Sequence, residues 1–332
     1  MMDLVGRHFL VAGGAGFLGS HLVDRLLVEG SRVTVFDSLV TGQRDNLQDH
    51  ASLEFHHLDI ISLDVESWAQ KLGRLDGVFN LASPASPVDF SRIPDLILQT
   101  ATHGHRQLLE LAKRAGCRIL FASSSEVYGD AEVHPQPESY FGNVNSFGHR
   151  SCYDEAKRVG EALSLAWKLE HGVSIRIARI FNTYGPRMRL DDGRIIPNFA
   201  VQALQREPLT VYGDGQQTRS FTFVKDEVDG LLRLFQSDLD RPVNIGSTFE
   251  HTVAEVAALV NELTGNPAGI RNLPLPPNDP KQRRPDISLA KAALGWSPQT
   301  GFRGGLKETI AEFQARLARR GEPLKTKTVS SG

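Results

Sequence analysis

The chain has 332 residues, a formal net charge of -2, 40% hydrophobic and 23% charged residues, enough length for one large α/β domain or two smaller ones. Lys plus Arg number 37 against 39 Asp plus Glu, which leaves neither the basic excess of a nucleic-acid binder nor an acidic solvating tail. Only two cysteines occur, Cys117 and Cys152, so a disulfide framework and a cysteine-rich zinc site are excluded and a reducing, cytoplasmic setting is expected.

Short apolar runs alternate with helical periodicity through the first half. Strands are expected at His8 to Ala12, Arg32 to Phe36, Leu53 to Leu58, Gly77 to Leu81, Arg118 to Ala122 and Val173 to Ala178. Helices are expected at about 17–29, 64–72, 94–115 and 153–171. The run from His8 to Gly19 is too short and too broken by glycine for a signal peptide or a membrane span, and reads as a buried first strand. Nearly all-apolar strands alternating with helices predict a parallel sheet covered on both faces, a Rossmann-type doubly wound α/β fold. The rhythm changes after about residue 185. Pro242 to Gly246 can return a strand to the main sheet, Leu273 to Pro285 is proline-rich, and helices return at about 252–264 and 304–319. The expected division is a dinucleotide-binding domain over 1–185, a smaller C-terminal lobe over 186–319 and a mobile tail over 320–332. No internal repeat or low-complexity block interrupts it.

The first chemical signal is VAGGAGFLGSHLVDRLL, in which Gly13, Gly16 and Gly19 follow an apolar strand and open an amphipathic helix. Glycines at this spacing permit a tight turn and close approach of the backbone to a pyrophosphate, and the helix N-terminus offers unpaired N–H groups to the anion. Asp37 follows Gly19 by 18 residues at the end of the second strand. A carboxylate there accepts hydrogen bonds from ribose hydroxyls and repels a 2′-phosphate, which favours NAD over NADP. Asp59, after the third strand, is either a contact to the adenine amine or an ordinary end-of-strand turn residue.

The second signal is Tyr153 and Lys157, a Y-x-x-x-K pair whose four-residue spacing puts both side chains on one helix face. A tyrosine hydroxyl is a poor base at neutral pH unless a nearby ammonium favours the phenolate. With that help it can take the proton of an alcohol while hydride leaves for a nicotinamide. The third signal is Ser123-Ser124-Ser125-Glu126-Val127-Tyr128-Gly129, directly after the fifth strand, at the sheet edge where ligands of such folds bind. A hydroxyl here can bond the reacting oxygen. The plainer alternative is a serine-rich turn with Glu126 in a structural ion pair.

These motifs, with LASPASP at 81–87, HPQPESYFGNVN at 134–145, RIFNTYGPRM at 179–188, DDGRIIPNF at 191–199, LTVYGDGQQTRSF at 209–221 and DPKQRRPD at 279–286, make the chain resemble the extended short-chain dehydrogenase/reductase family. Within it the likeness is to the UDP-glucuronate decarboxylases, from about Phe9 to Phe313. The resemblance implies tightly bound NAD, oxidation of a sugar C4 hydroxyl with Tyr153 as base and Lys157 as its support, loss of CO₂ from the resulting β-keto acid, and return of hydride to give UDP-xylose. It implies no metal, because the transient ketone is the electron sink. It places Ser124 as the catalytic hydroxyl, and Ser125 and Glu126 at the carboxylate-handling corner. Arg219 falls in carboxylate or diphosphate contact, with Glu126 and Arg219 both open as the source of the C5 proton. It extends the cofactor site to Phe17, Leu18, Ser38, Thr41, Gly42, Ile60, Leu81, Ser83, Thr100, Ala122 and Thr183. On the substrate side it implies Ser83, Pro84, Asn182, Arg189, Arg194, Tyr212 and Arg283, with residues 186–319 as the nucleotide-sugar lobe. A homodimer through the helices at 94–115 and 153–171 follows in the same way, with no membrane or nucleic-acid partner.

Four positions depart from the family pattern: Gln99 stands for a lysine, Ala101 for an asparagine, Ser124 for the more usual threonine and His149 for a proline. The first two point to a cycle that closes less strictly and releases some UDP-4-keto-pentose. Competing readings are a nucleotide-sugar 4,6-dehydratase, for which Ser125 is a poor substitute for an acid, a 4-epimerase, which has no carboxylate to manage, and a non-catalytic NAD-binding scaffold.

Overall fold

The computed structural model describes residues 3–274, 282–319 and 321. The tail expected to be mobile, Gly321 apart, and the proline-rich stretch at 275–281 lie outside the described residues. In chain order the elements are β1 (His8–Ala12), α1 (Phe17–Val28), β2 (Arg32–Asp37), β3 (Leu53–His57), α2 (Val65–Leu72), β4 (Gly77–Asn80), the one-turn α3 (Pro87–Phe90), α4 (Pro94–Gln99), α5 (His105–Ala115), β5 (Arg118–Ser124), α6 (Ser151–His171) and β6 (Ile175–Ile180). They continue with β7 (Thr183–Tyr184), α7 (Ile195–Leu204), β8 (Leu209–Tyr212), β9 (Thr218–Ser220), β10 (Thr222–Phe223), α8 (Val224–Gln236), β11 (Pro242–Ile245), β12 (Glu250–Thr252), α9 (Val253–Thr264), β13 (Ile270–Leu273), α10 (Ser288–Leu294) and α11 (Phe302–Arg319).

Seven strands form one sheet in the order β11-β6-β5-β4-β1-β2-β3, every pairing parallel. The winding reverses between β1 and β4. Loops leaving those two strands diverge, and a crevice opens at their carboxyl ends. β1 and β4 are buried along their whole length because both faces are covered. On one face Phe9, Val11, Phe79 and Leu120 pack with Leu22, Leu26, Leu231 and Phe235; on the other Leu10, Val78, Ile119 and Phe121 pack with Leu108, Leu111 and Trp167. A further core gathers Tyr184, Phe199, Val211, Phe223, Val256 and Phe313 from the C-terminal half, with Phe17 and Leu18 of α1 packed against it. No helix among the described residues is long and apolar enough to cross a membrane.

The strand from 242 does return to the sheet, as β11 beside β6. The single helix expected over 94–115 is two helices joined by a π turn at Thr100–Gly104. There a Cβ on Gly104 would lie 2.7 Å from a side-chain carbon of Ile60, so glycine lets the two segments approach. Helices α7, α8 and α10 had no counterpart in the sequence reading. Pro197 stands in the first turn of α7, and Gly230 lies inside α8, where a Cβ would come within 2.7 Å of Ile245 and 3.0 Å of Trp296. A helix-breaking residue therefore hid the patterns of α7 and α8, although Pro is tolerated in a first turn and Gly where helix meets strand.

Candidate active site

A cavity of about 650 Å³ runs along the carboxyl ends of the strands and into the C-terminal half. Every residue proposed from the sequence for catalysis, cofactor or substrate lines it, from Gly13 to Arg283. The glycine turn forms one wall. Gly13 has φ +78°, and a Cβ on it would stand 2.7 Å from the Ala82 amide nitrogen. A Cβ on Gly19 would overlap the Gly13 carbonyl oxygen and lie 2.8 Å from Gly14 Cα. Without side chains here, β1, β4 and α1 close on one another and the first amides of α1 face the cavity. Asp37, at the end of β2, accepts from the amides of Ala15 (2.9 Å) and Leu39 (2.8 Å), which fixes its carboxylate beside the turn. Asp59 accepts from the Ile61 amide at 2.9 Å and caps the short turn that follows, so the turn reading of Asp59 describes its hydrogen bond. The donor amides, the fixed carboxylate and the glycine cradle fit NAD. So does the Ser83 hydroxyl, whose oxygen is buried with no hydrogen-bond partner among the described residues.

The chemistry-bearing wall comes from β5 and α6. The Ser124 hydroxyl accepts from the Glu126 amide at 3.2 Å, and its influence on the Tyr153 phenol favours the phenolate. Lys157 donates to the Ala122 carbonyl at 2.9 Å, and its ammonium stands 5.4 Å from the centre of the Tyr153 ring. Burial dominates both groups: it pushes the Tyr153 phenol up to about 12 and the Lys157 ammonium down to about 7. A nearby ammonium is expected to lower the phenol; burial outweighs that effect here. The ammonium faces the ring rather than the hydroxyl, and the dry pocket disfavours charge on either side chain. Phe90 of α3 stacks on the phenol ring, 5.0 Å between centroids and 16° between planes.

Glu126 is the most strongly held acid in the site. Burial opposes its ionisation, but Arg283 pairs with one carboxylate oxygen and Arg150 donates to the other at 2.7 Å, and together they hold it well below the usual carboxylate range. Asp154 lies the other way: burial and the Glu126 charge push it above its usual range. Arg194 is paired with Asp192 through two contacts of 2.8 and 2.7 Å, and Arg189 donates to Asp89 at 2.6 Å. Arg219, in β9 and 8% exposed, donates to the Thr218 carbonyl at 2.8 Å. Tyr212 stands at the rim, 42% exposed. The Thr183 hydroxyl lies 2.9 Å from the Phe181 carbonyl oxygen and 3.1 Å from Glu227, so its polar end is engaged within the fold. Gln99, at a departure from the family pattern, donates to Asp95 at 2.6 Å.

Sequence reasoning missed Phe90, Asp89, Arg150, Asp154 and Asp192, all but Asp154 on the cavity wall. Arg150 and Asp154 flank Tyr153 in sequence and were within reach. Phe90 and Asp89 meet the site only through tertiary folding.

The profile of the NAD dependent epimerase/dehydratase family matches residues 9–246. UDP-glucuronic acid decarboxylase 1 of Danio rerio is 47% identical over 315 residues, covering 94% of this chain and 73% of its own. UDP-glucuronic acid decarboxylase 5 of Arabidopsis thaliana is 49% identical over 309 residues, 93% of this chain and 89% of its own. Among solved structures, a UDP-glucose 4-epimerase of Thermotoga maritima with UDP-glucose aligns at TM-score 0.86 and 31% identity, over 93% of this chain and 99% of that one. A UDP-glucuronic acid 4-epimerase of Bacillus cereus, in complex with UDP-glucuronic acid and NAD, aligns at 0.83 and 27% over 93% and 99%. The chain therefore belongs to the NAD dependent epimerase/dehydratase family, within the extended short-chain dehydrogenases/reductases.

Proposed function

We propose that the protein is a UDP-glucuronate decarboxylase that makes UDP-xylose with NAD bound throughout the cycle. The observation that carries this is the 46–49% identity to decarboxylases over 93–94% of the chain, joined to one cavity holding Tyr153, Lys157, Ser124, Glu126 and Arg219. Gly13, Gly16, Phe17, Leu18 and Gly19 would hold the pyrophosphate. Asp37, Ser38, Thr41 and Gly42 would hold the adenosine ribose, with Asp59 and Ile60 beside the adenine. Leu81, Ser83, Thr100, Ala122 and Thr183 would line the rest of the cofactor path. When bound, NAD⁺ supplies the hydride acceptor for C4, and NADH the donor that closes the cycle.

Tyr153 takes the proton of the C4 hydroxyl, helped by the neighbouring Ser124 hydroxyl and by the Lys157 ammonium behind its ring. The C4 ketone is β to the C6 carboxylate, so the C5–C6 bond breaks, CO₂ leaves and the electron pair enters an enolate. A proton at C5 then restores a ketone, and hydride returns to C4 while a proton returns to the C4 oxygen. Burial keeps the Lys157 ammonium easily lost, so the group can pass a proton as well as hold a charge. Glu126, pinned between two guanidiniums, acts as an anion and not as the C5 acid. Arg219 meets the carboxylate or the diphosphate, and Asn182, Arg189, Arg194, Tyr212 and Arg283, with Pro84, hold the UDP part. For Arg189 and Arg194 that requires exchange with Asp89 and Asp192. Residues 186–319 are then the nucleotide-sugar lobe.

A homodimer would bury the apolar side chains that α4 and α6 expose, Leu98, Val159, Leu165 and Leu169. Two free, buried cysteines suit a cytoplasmic place in carbohydrate biosynthesis. The test is purified protein with UDP-glucuronate, scored for CO₂ and by mass spectrometry. UDP-xylose with CO₂ is expected, together with some UDP-4-keto-pentose if Ala101 and Gln99 loosen the cycle. UDP-galacturonate without CO₂ would make the protein a 4-epimerase instead.

A further inference from the structure

Arg150 has no part in the reaction as described, yet it touches two of the residues that do, Glu126 and Tyr153, and the Phe90 ring stacked on Tyr153. It stands at the start of α6, where its carbonyl accepts the amides of Tyr153 (2.9 Å) and Asp154 (3.0 Å). Its Nη2 donates to one oxygen of Glu126 at 2.7 Å while Arg283 takes the other. Its guanidinium carbon lies 5.5 Å from the centre of the Phe90 ring, and that ring is the one stacked on Tyr153. Glu126 is carried by the turn after β5 and Tyr153 by α6, with residues 129–150 between them, so the covalent chain does not set their spacing. A planar guanidinium can do so, because its edge bonds a carboxylate while its face lies on an aromatic ring.

We propose that Arg150 is a positioning residue that holds Glu126 in place as a carboxylate and seats the Phe90–Tyr153 stack, tying the carboxylate-handling corner of the cavity to the helix that carries the base. The geometry stands by itself; the consequence for catalysis rests on the decarboxylase reading. The Glu126 side chain is 14% exposed and that of Arg150 32%, so solvent screens their contact only in part. Lysine would keep the charge but lose the flat face and the fork.

The test uses the NAD-loaded protein and the variants Arg150→Met, Arg150→Lys, Glu126→Gln and Arg150→Met with Glu126→Gln. In thermal unfolding, the Met and Gln changes should be non-additive, since each removes the same contact. In steady state, Arg150→Met should lower kcat for CO₂ release by about ten- to a hundredfold and change KM by less than about threefold. Arg150→Lys should recover part of kcat. Additive unfolding effects, or an unchanged kcat, would overturn the proposal, and so would a rise in KM alone. If Arg150→Met does not fold, Arg150→Lys decides by the same split between kcat and KM. If the wild-type protein releases no CO₂, the decarboxylase reading falls, and the unfolding cycle alone then decides whether Arg150 holds Glu126.

Discussion

Replacing Tyr153 by Phe separates chemistry from packing more cleanly than any other change in this site. The ring is 7% exposed and stacked on Phe90 with 16° between planes, and Phe keeps that ring and its contacts. The change removes one hydroxyl, whose phenolate form Ser124 favours. Loss of whatever hydrogen bonding that hydroxyl makes costs at most about 1 kcal/mol of stability, and removing a buried polar group whose ionisation burial pushes up to about 12 offsets part of that. The melting temperature should therefore fall by no more than about 2–4 °C for a domain of this size. A positioned acid–base group contributes roughly 10²–10⁴ in rate, or about 3–5 kcal/mol of transition-state stabilisation. Tyr153→Phe should thus retain NAD, unfold close to the wild type, and release CO₂ from UDP-glucuronate about a hundredfold more slowly at least. The assay is CO₂ release beside the 260/340 nm absorbance of the bound nucleotide. Turnover within about tenfold of wild type would refute Tyr153 as the base.

Gly19→Ala should abolish NAD retention and lower the melting temperature, because the new methyl group overlaps the Gly13 carbonyl oxygen; a variant purified with its full complement of NAD would contradict this. Asp37→Asn should weaken NAD by about ten- to a hundredfold, the usual cost of a charged hydrogen bond, and narrow the preference over NADP in calorimetric titration. Lys157 has its pKa brought down to about 7 by burial, so between pH 7 and its ordinary value near ~10.4 the unfolded chain binds more protons than the folded one. Stability of nucleotide-free protein should rise with pH from 7 toward 10, and Lys157→Met should flatten that rise; parallel melting curves across this range would count against the burial argument. Burial likewise lowers His105 to about 3, so stability should fall as pH drops below ~6.5, and His105→Gln should blunt the loss in acid unfolding measured by circular dichroism.

Local chemistry wrote much of this protein into its sequence. The strands that build the sheet are continuous apolar runs because both faces are covered, and runs such as His8–Ala12 read directly. Gly13, Gly16 and Gly19 are legible because a pyrophosphate cradle needs a spacing that chain geometry imposes over a few residues. Tyr153 and Lys157 are legible because one helical turn sets them on one face. The C-terminal half was harder: α7 and α8 run through Pro197 and Gly230, which read as helix breakers in sequence, and that Gly230 packs against a neighbour depends on Ile245 and Trp296, which are distant along the chain.

The electrostatics of the site were decided by tertiary structure alone. From the sequence, Lys157 is an ammonium beside a phenol; in the fold, desolvation outweighs that attraction and moves both groups toward neutrality. The Glu126 carboxylate draws its partners from outside its own segment, and its state is set by Arg150, 24 residues away, and by Arg283, 157 residues away. Spacing along the chain determines which groups share a helix face or a turn. Burial and long-range charge pairing, which determine what those groups can do, exist only once the chain has folded.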